Sequence, residues 1–472
     1  MKAFRWFVLL LATVLISVGC EEDGPSNPND YVNAWILENM RFYYYWANEI
    51  PTAPANTLAP EPFFESLLSD EDRFSWIQEN FQELLNSLRG VNKEAGYEYI
   101  LYRDPNAPGN VVAQVLYVKP TSPASTTALK RGDMITKING QTITEQNFRT
   151  LLSQIGEPHT VEYRPINIES GTFGQSVSLQ LNTVEFAENP NFYHTVFTQY
   201  PNYKIGYFVY NLFSTGPTEG STIYNAEMDQ IFAGFKSAGI TDLIVDLRFN
   251  SGGSETATRN LASLIGKNVT SSDIFVKRQY NAQLTQAIVN DPQLGPSFLE
   301  VKFIDKAQNV GNQLERVFIL TGSRTASASE LLINGLRPFM TVFLIGNQTV
   351  GKNVGSITLY EEDEPRNTWG MQPIVVKSFN KLNQSDYGNG FVPNRFDEDN
   401  RLHLFPLGDT RERLLGLALS EITGLAINGR HSGRDGVPQH AIATSLDTKP
   451  VCNQLIIDAE DGEALRKLLT RY

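Results

Sequence analysis

Cysteine is almost missing from this chain: two in 472 residues, too few for a disulfide framework or a Cys-rich zinc site. Histidine is scarce too, and the five present stand in no His-x-x-x-His or Glu-x-x-His pattern. Neither a bound metal nor a cofactor is therefore expected. Basic residues are short, with 39 Lys plus Arg against 52 Asp plus Glu and a net charge of -13. Nucleic acid is excluded as a partner on that ground, because neutralising phosphates needs a surplus of Lys and Arg. No continuous apolar run is long enough to span a bilayer. What is plentiful is ordinary globular material, 41% hydrophobic residues, over a length that predicts two to four domains at roughly 100–200 residues each.

Residues 1–19 follow the plan of a secretory signal: Lys2 and Arg5, an apolar stretch from Phe7 to Ile16, then small residues ending at Gly19. The cysteine that follows, Cys20, resembles the acceptor of a bacterial lipoprotein box, with Val18 and Gly19 in place and Ser17 where such boxes usually carry Leu. The resemblance implies cleavage before Cys20, its lipidation, and a membrane partner reached through that anchor. Residues 20–31 then read as a polar, Pro/Gly/Asn-rich tether. The acidic run Glu21-Glu22-Asp23 resembles surface-export signals of Bacteroidetes lipoproteins, the alternative being a solvated charge run. The expected location is the cell envelope, at the outer membrane, on its periplasmic face or the cell surface. Cys452 is left without a cysteine partner.

Residues 32–92 show helical spacing. Trp35, Ile36, Met40, Tyr43 and Tyr44 mark one helix, and Phe81, Leu84, Leu85 and Leu88 another. The aromatic stripe Tyr43–Trp46 is expected to be core packing. Residues 93–185 turn to alternating, β-branched segments, Tyr97–Tyr102 and Val111–Val118. A turn, a short helix, a Gly132-Asp133 turn, a strand and an Asn139-Gly140 hairpin signal follow. The Pro120-Thr121-Ser122-Pro123-Ala124, Leu129-Lys130-Arg131-Gly132-Asp133 and Ile138-Asn139-Gly140 runs closely resemble a PDZ domain. That resemblance implies docking of an extended peptide on a sheet edge, with Gly96 and Tyr97 as the candidate nest for its terminal carboxylate. Residues 186–427 alternate strands (Lys204–Tyr210, Asp242–Leu247, Arg316–Leu320, Val342–Ile345) with helical stretches (Ile223–Ser237, Glu330–Leu336), the pattern of a layered α/β domain. Residues 266–312 read as a polar insertion in it, and 428–472 as a C-terminal extension closing on a helix from Gly462 to Leu469.

Three clusters in the α/β region could carry chemistry. Asp246-Leu247-Arg248-Phe249-Asn250-Ser251-Gly252-Gly253 ends a buried strand, and paired glycines let backbone amides come close to a ligand. Thr325-Ala326-Ser327-Ala328-Ser329-Glu330 leaves a strand and enters a helix, where unpaired amides and the helix dipole favour negative charge. Ser327 and Ser329 must point apart at about 100° per residue, so at most one faces a given site. Gly346 to Lys352 has phosphate-loop spacing, but Asn353 stands where that loop needs Ser or Thr, and the residues after it read as a strand. A lysine in such a glycine-flanked loop can act as a base if burial lowers its pKa.

In this order behind a PDZ-like domain, the three clusters resemble the carboxy-terminal processing peptidases, also called tail-specific proteases, over roughly residues 96–425. The segments Asp386–Pro393 and Leu407-Gly408-Asp409 further resemble the Bacteroidetes branch of that family. The resemblance implies a multidomain α/β protein: a ClpP/crotonase-like peptidase core, a β-rich PDZ domain and a small N-terminal helical domain. By position it assigns Ser327 as nucleophile, Lys352 as general base, and the amides of Ala328 and of Gly252 or Gly253 as oxyanion donors. Ser356 stands where several members carry a Gln that orients the base. The expected activity is a serine endopeptidase acting on polypeptides, met through their C-terminal tails. The alternative is a noncatalytic peptide-binding envelope scaffold derived from such a protease.

Overall fold

A computed structural model describes residues 29–425, 439–445, 455–469 and 471. Cys20 and Cys452 lie outside the described residues.

The chain begins with α1 (Asp30–Tyr43), α2 (Pro60–Glu65) and α3 (Phe81–Leu88). The stripe Val32, Trp35, Ile36, Met40 and Tyr43 recurs every three to four residues, and it is this face that α1 buries. Pro60 opens α2, where its missing N–H costs nothing. Asn80 caps α3 by accepting from the amides of Gln82 and Glu83. Tyr43 and Tyr44 are fully buried, and Tyr45 and Trp46 pack half-buried against the same cluster.

Next comes a β-rich unit: β1 (Tyr97–Arg103), β2 (Val111–Val118), β3 (Met134–Ile138), a short helix α4 (Phe148–Leu152), β4 (His159–Arg164) and β5 (Val177–Leu181). The strands pair antiparallel in the order β5-β4-β3-β2-β1. The Asn-Gly turn after β3 takes positive φ at both residues, 48° at Asn139 and 75° at Gly140, the geometry that hairpins need and that this dipeptide tolerates. The unit has its own core, with Tyr99, Leu101, Val115, Ile135, Phe148 and Leu151 among its members.

The remainder is the α/β core. Its strands are β6 (Asn191–Phe197), β7 (Ile205–Tyr210), β8 (Asp242–Asp246), β9 (Gly253–Ser254), β10 (Ile274–Tyr280), β11 (Arg316–Thr321), β12 (Thr341–Gly346), β13 (Val354–Ser356) and β14 (Ile374–Phe379). One sheet runs β6-β7-β8-β11-β12 and ends on Arg395–Phe396. Its members after β7 are parallel, with Val245 opposite Ile319 and Leu320 opposite Ile345. Helices cover both faces, which explains why β7 and β8 read as unbroken apolar runs. On one face lie α5 (Ile223–Ala238), α6 (Glu255–Ile265) and α8 (Ala328–Leu336); on the other lies α9 (Arg413–Thr423).

The stretch 266–312 is not a mere insertion. It supplies β10 to a second sheet and α7 (Ala282–Asn290) to the cluster beneath the N-terminal helices. Tyr280, Leu284 and Ile288 are buried there, and Phe275 and Val276 in the cluster that holds α6 and α8. Their two periodicities are diluted by polar neighbours, which hid them. Two pieces of the C-terminal segment are also sheet members: β15 (Ala441–Thr444) pairs with β1, and β16 (Leu455–Ile456) lies between β9 and β13. The second sheet thus runs β9-β16-β13-β14-β10 and ends on Glu300–Lys302. The last helix, α10 (Ala459–Arg466), starts before the expected stretch and is tied to α1, where the Tyr43 hydroxyl donates to the carbonyls of Leu465 and Arg466.

Candidate active site

Ser327 sits at the turn between β11 and α8 with φ 58° and ψ -109°. A side chain other than glycine rarely adopts such a backbone, and the strain persists only where neighbours over-determine it. Here they do. Thr325 Oγ1 donates to the Leu247 carbonyl at 2.8 Å, the Ala326 amide to the Asn250 carbonyl at 3.3 Å, and Ser329 Oγ to that same carbonyl at 3.1 Å. A Cβ on Gly322 would stand 2.5 Å from the Arg248 carbonyl oxygen, so the two loops meet backbone to backbone. The first two sequence clusters are thereby brought together. They also separate the serines: Ser329 spends its hydroxyl on Asn250, while Ser327 Oγ is buried and, among the described residues, has no hydrogen-bond partner. The Ala328 amide, first of α8, likewise has no acceptor among the described residues.

Lys352 joins the same site through Glu330. This fully buried carboxylate accepts from the Ser327 amide at 2.7 Å and the Lys352 amide at 2.8 Å. It also accepts from the Gly351 amide at 2.7 Å and Thr349 Oγ1 at 2.6 Å. One side chain therefore holds the serine turn and the lysine loop in register. Burial pushes its pKa up, against the four donors that pull it down. The loop itself is tight: Gly351 has φ 91°, and a Cβ there would come within 2.4 Å of the Gly388 carbonyl oxygen.

Lys352 is 0% exposed, and burial lowers its pKa from 10.5 to about 7 against the attraction of Asp72 and Glu330. Part of that burial comes from the N-terminal region. The Phe74 ring lies 4.9 Å from Lys352 Nζ, and Arg73 donates to the carbonyls of Gly351 at 2.8 Å and Gly388 at 3.2 Å. The turn carrying them is set by Asp72, whose carboxylate accepts from the amides of Phe74 and Ser75 and from the Tyr44 hydroxyl.

The other predicted residues stand as follows. Gly252 and Gly253 have φ 119° and 128°. A Cβ on Gly253 would stand 2.1 Å from the Phe213 carbonyl oxygen, so only glycine fits. The Gly252 amide donates to Asn250 Oδ1 at 2.9 Å, so it must exchange that bond to serve an oxyanion. Ser356 is buried in β13, its hydroxyl held by Gln372 Oε1 at 2.6 Å and the Leu455 carbonyl at 3.1 Å. The Gly96 carbonyl accepts from the Lys119 amide, and a Cβ on Gly96 would meet Ser122 Cβ at 2.1 Å, so that turn is filled by its own neighbour. Tyr97 is buried with its hydroxyl 3.0 Å from His159 Nε2.

Sequence reasoning missed Glu330, Thr349 and the Asp72–Phe74 turn. Ser-x-x-Glu from Ser327 to Glu330 is a capping-box signature and was available. Nothing local in Asp72-Arg73-Phe74 points to a lysine nearly three hundred residues away.

Known proteins match this arrangement. The profile of Peptidase family S41 fits residues 204–364, which include Ser327 and Lys352, and that of the Peptidase S41 N-terminal domain fits residues 31–76. A curated protein of Staphylococcus saprophyticus named a CtpA-like serine protease is 23% identical over 258 residues, 54% of this chain and 45% of that protein. The chain thus spans about half the length of the curated relative it matches. A crystal structure named an S41 protease from Bacteroides fragilis superposes with a TM-score of 0.67 at 26% identity, covering 83% of this chain and 97% of that one. Both profiles fall on the elements that build the site and the fold is shared almost end to end with that structure, so over these residues the chain is similar to peptidase family S41.

Proposed function

We propose that the protein is a serine endopeptidase of the cell envelope that cleaves polypeptides with a Ser327–Lys352 dyad. The observation that carries this reading is Glu330, which ties a strained serine turn and a buried lysine of lowered pKa to one carboxylate. A lysine with a pKa of about 7 is largely neutral at slightly alkaline pH and can accept a proton. Lys352 Nζ takes the Ser327 hydroxyl proton as Oγ attacks the peptide carbonyl carbon. The oxyanion meets the Ala328 amide at the positive end of α8, together with an amide of the Gly252-Gly253 pair. The ammonium then protonates the departing amine, and water hydrolyses the acyl-enzyme with the lysine again as base. The β-rich unit serves as a PDZ domain that brings an extended polypeptide to the cleft, and a lipid on Cys20 anchors the protein.

Purified protein is expected to cleave an unfolded polypeptide such as casein, and Ser327→Ala and Lys352→Ala each to abolish cleavage. Full activity in either variant refutes the dyad. A serine-reactive phosphonate distinguishes the noncatalytic scaffold, since a scaffold binds peptide without labelling at Ser327.

A further inference from the structure

A sheet edge offers unpaired backbone groups to any extended chain, and the free edge of a PDZ-like sheet is where a guest peptide adds. In this protein that edge is taken. β15 lies antiparallel on β1, with Ala441 opposite Tyr102, Ala443 opposite Leu101 and Thr444 opposite Ile100. Ile442 and Ala443 pack on the cluster that contains Leu101, Phe148 and Leu151. β15 therefore runs toward the start of β1, the direction a guest must take if its end is to approach Gly96 and Tyr97.

Where a guest's terminal carboxylate would arrive, the chain places Ser445 instead. Its hydroxyl accepts from the Tyr99 amide at 3.0 Å and donates to the Glu98 carboxylate. Glu98 is buried and also faces Lys119 Nζ at 3.0 Å. An acceptor at that position calls for a donor, which a hydroxyl supplies and a carboxylate does not. Ser122 already fills the space at Gly96.

We propose that residues 441–445 are a resident ligand of the docking edge, and that a substrate strand must exchange with them. The edge then recognises an internal extended segment of small and branched residues closing on Ser or Thr, rather than a free C-terminus. This rests on the reading of the β-rich unit as a peptide-docking domain and revises the expectation of tail recognition. Because the resident strand is tethered on both sides, its effective concentration is on the order of millimolar. A free peptide of the same sequence with micromolar intrinsic affinity is then weakened on the order of a thousandfold.

The test measures binding in full-length Ser327→Ala protein, so that no cleavage intervenes and a failed dyad leaves the result readable. The probe is a fluorescein-labelled, amidated Gln-His-Ala-Ile-Ala-Thr-Ser peptide followed by fluorescence anisotropy. Adding Ile442→Asp and Ser445→Ala, which loosen β15, is expected to tighten probe binding at least tenfold. The free-acid peptide should bind no tighter than the amide. A second arm replaces Cys20 and Cys452 with serine and introduces Ile100→Cys with Thr444→Cys, an opposed pair within reach of a disulfide. The oxidised protein should not bind the probe, and reduction should restore binding. Equal affinity in parent and loosened variant, tenfold tighter binding of the free acid, or undiminished binding to the oxidised staple each overturns the proposal. If the loosened variant fails to fold, the staple decides.

Discussion

Among the described residues two lysines are buried almost completely, Lys119 at 1% exposure and Lys352 at 0%, yet their pKa values move in opposite directions. Lys119 lies 2.7 Å from Glu94, 3.0 Å from Glu98 and 2.7 Å from Glu188, and those carboxylates hold its pKa well above 10.5 despite burial. Around Lys352 burial wins, and the pKa falls to about 7. Glu330 is close by, but its oxygens are aimed at backbone amides and Thr349. Burial alone therefore does not make a base. What matters is where the nearby carboxylates spend their lone pairs: three of them lock Lys119 as a cation, and one organises Lys352 without strongly charging it.

The largest test of this contrast is Lys352→Met. Cleavage should fall on the order of a thousandfold or more, while the protein keeps or gains thermal stability. Holding a lysine at about 7 instead of 10.5 costs the fold on the order of 4–5 kcal/mol at neutral pH. A large drop in Tm would break the comparison. Lys119→Met should do the reverse, destabilising by roughly 3–5 kcal/mol in urea titration because it strands buried carboxylates. The signs also differ with pH. Below pH 7 the folded Lys352 is a buried cation and its penalty is complete; as pH rises from 7 to 10.5, the unfolded chain holds more proton and stability increases. The Lys119 contribution is fully present below 10.5 and is lost only as pH rises through its raised folded value.

Smaller effects sharpen the picture at the site itself. Glu330→Gln keeps the shape but removes the charge and sets an amide against backbone donors. It should cost about 10–100-fold in kcat with KM little changed, corresponding to about 1–3 kcal/mol for the disturbed bonds. Because the Glu330 charge raises the Lys352 pKa, the pH–rate midpoint near 7 should also move down. Phe74→Ala should move the midpoint the other way, by less than about one unit, since it re-solvates Nζ and desolvation is the largest cause of the shift. Movement of both midpoints in the same direction would contradict this account of what sets the base.

Much of the fold was legible because its signals are local. The apolar runs of β7 and β8, the Asn139-Gly140 turn and the spacing in α1 and α3 depend on near neighbours in sequence. The serine turn and the lysine loop were legible for the same reason, each being a short glycine-marked motif. β10 and α7 were not, because Tyr280, Leu284 and Ile288 become a face only when packed beneath the N-terminal helices, while Phe275 turns to the other cluster, with α6 and α8. Nor could the sequence place Phe74 on Lys352 or β15 on β1, since both contacts join residues hundreds of positions apart and rest on tertiary packing.

β16 gives the architecture a sense of time. Leu455 and Ile456 bridge the Gly253 strand and the strand that follows Lys352. A chain emerging N-terminus first holds its serine, its lysine and its glycine pair long before that bridge arrives. Until it does, the Gly253 strand and the strand that follows Lys352 are not joined through that sheet.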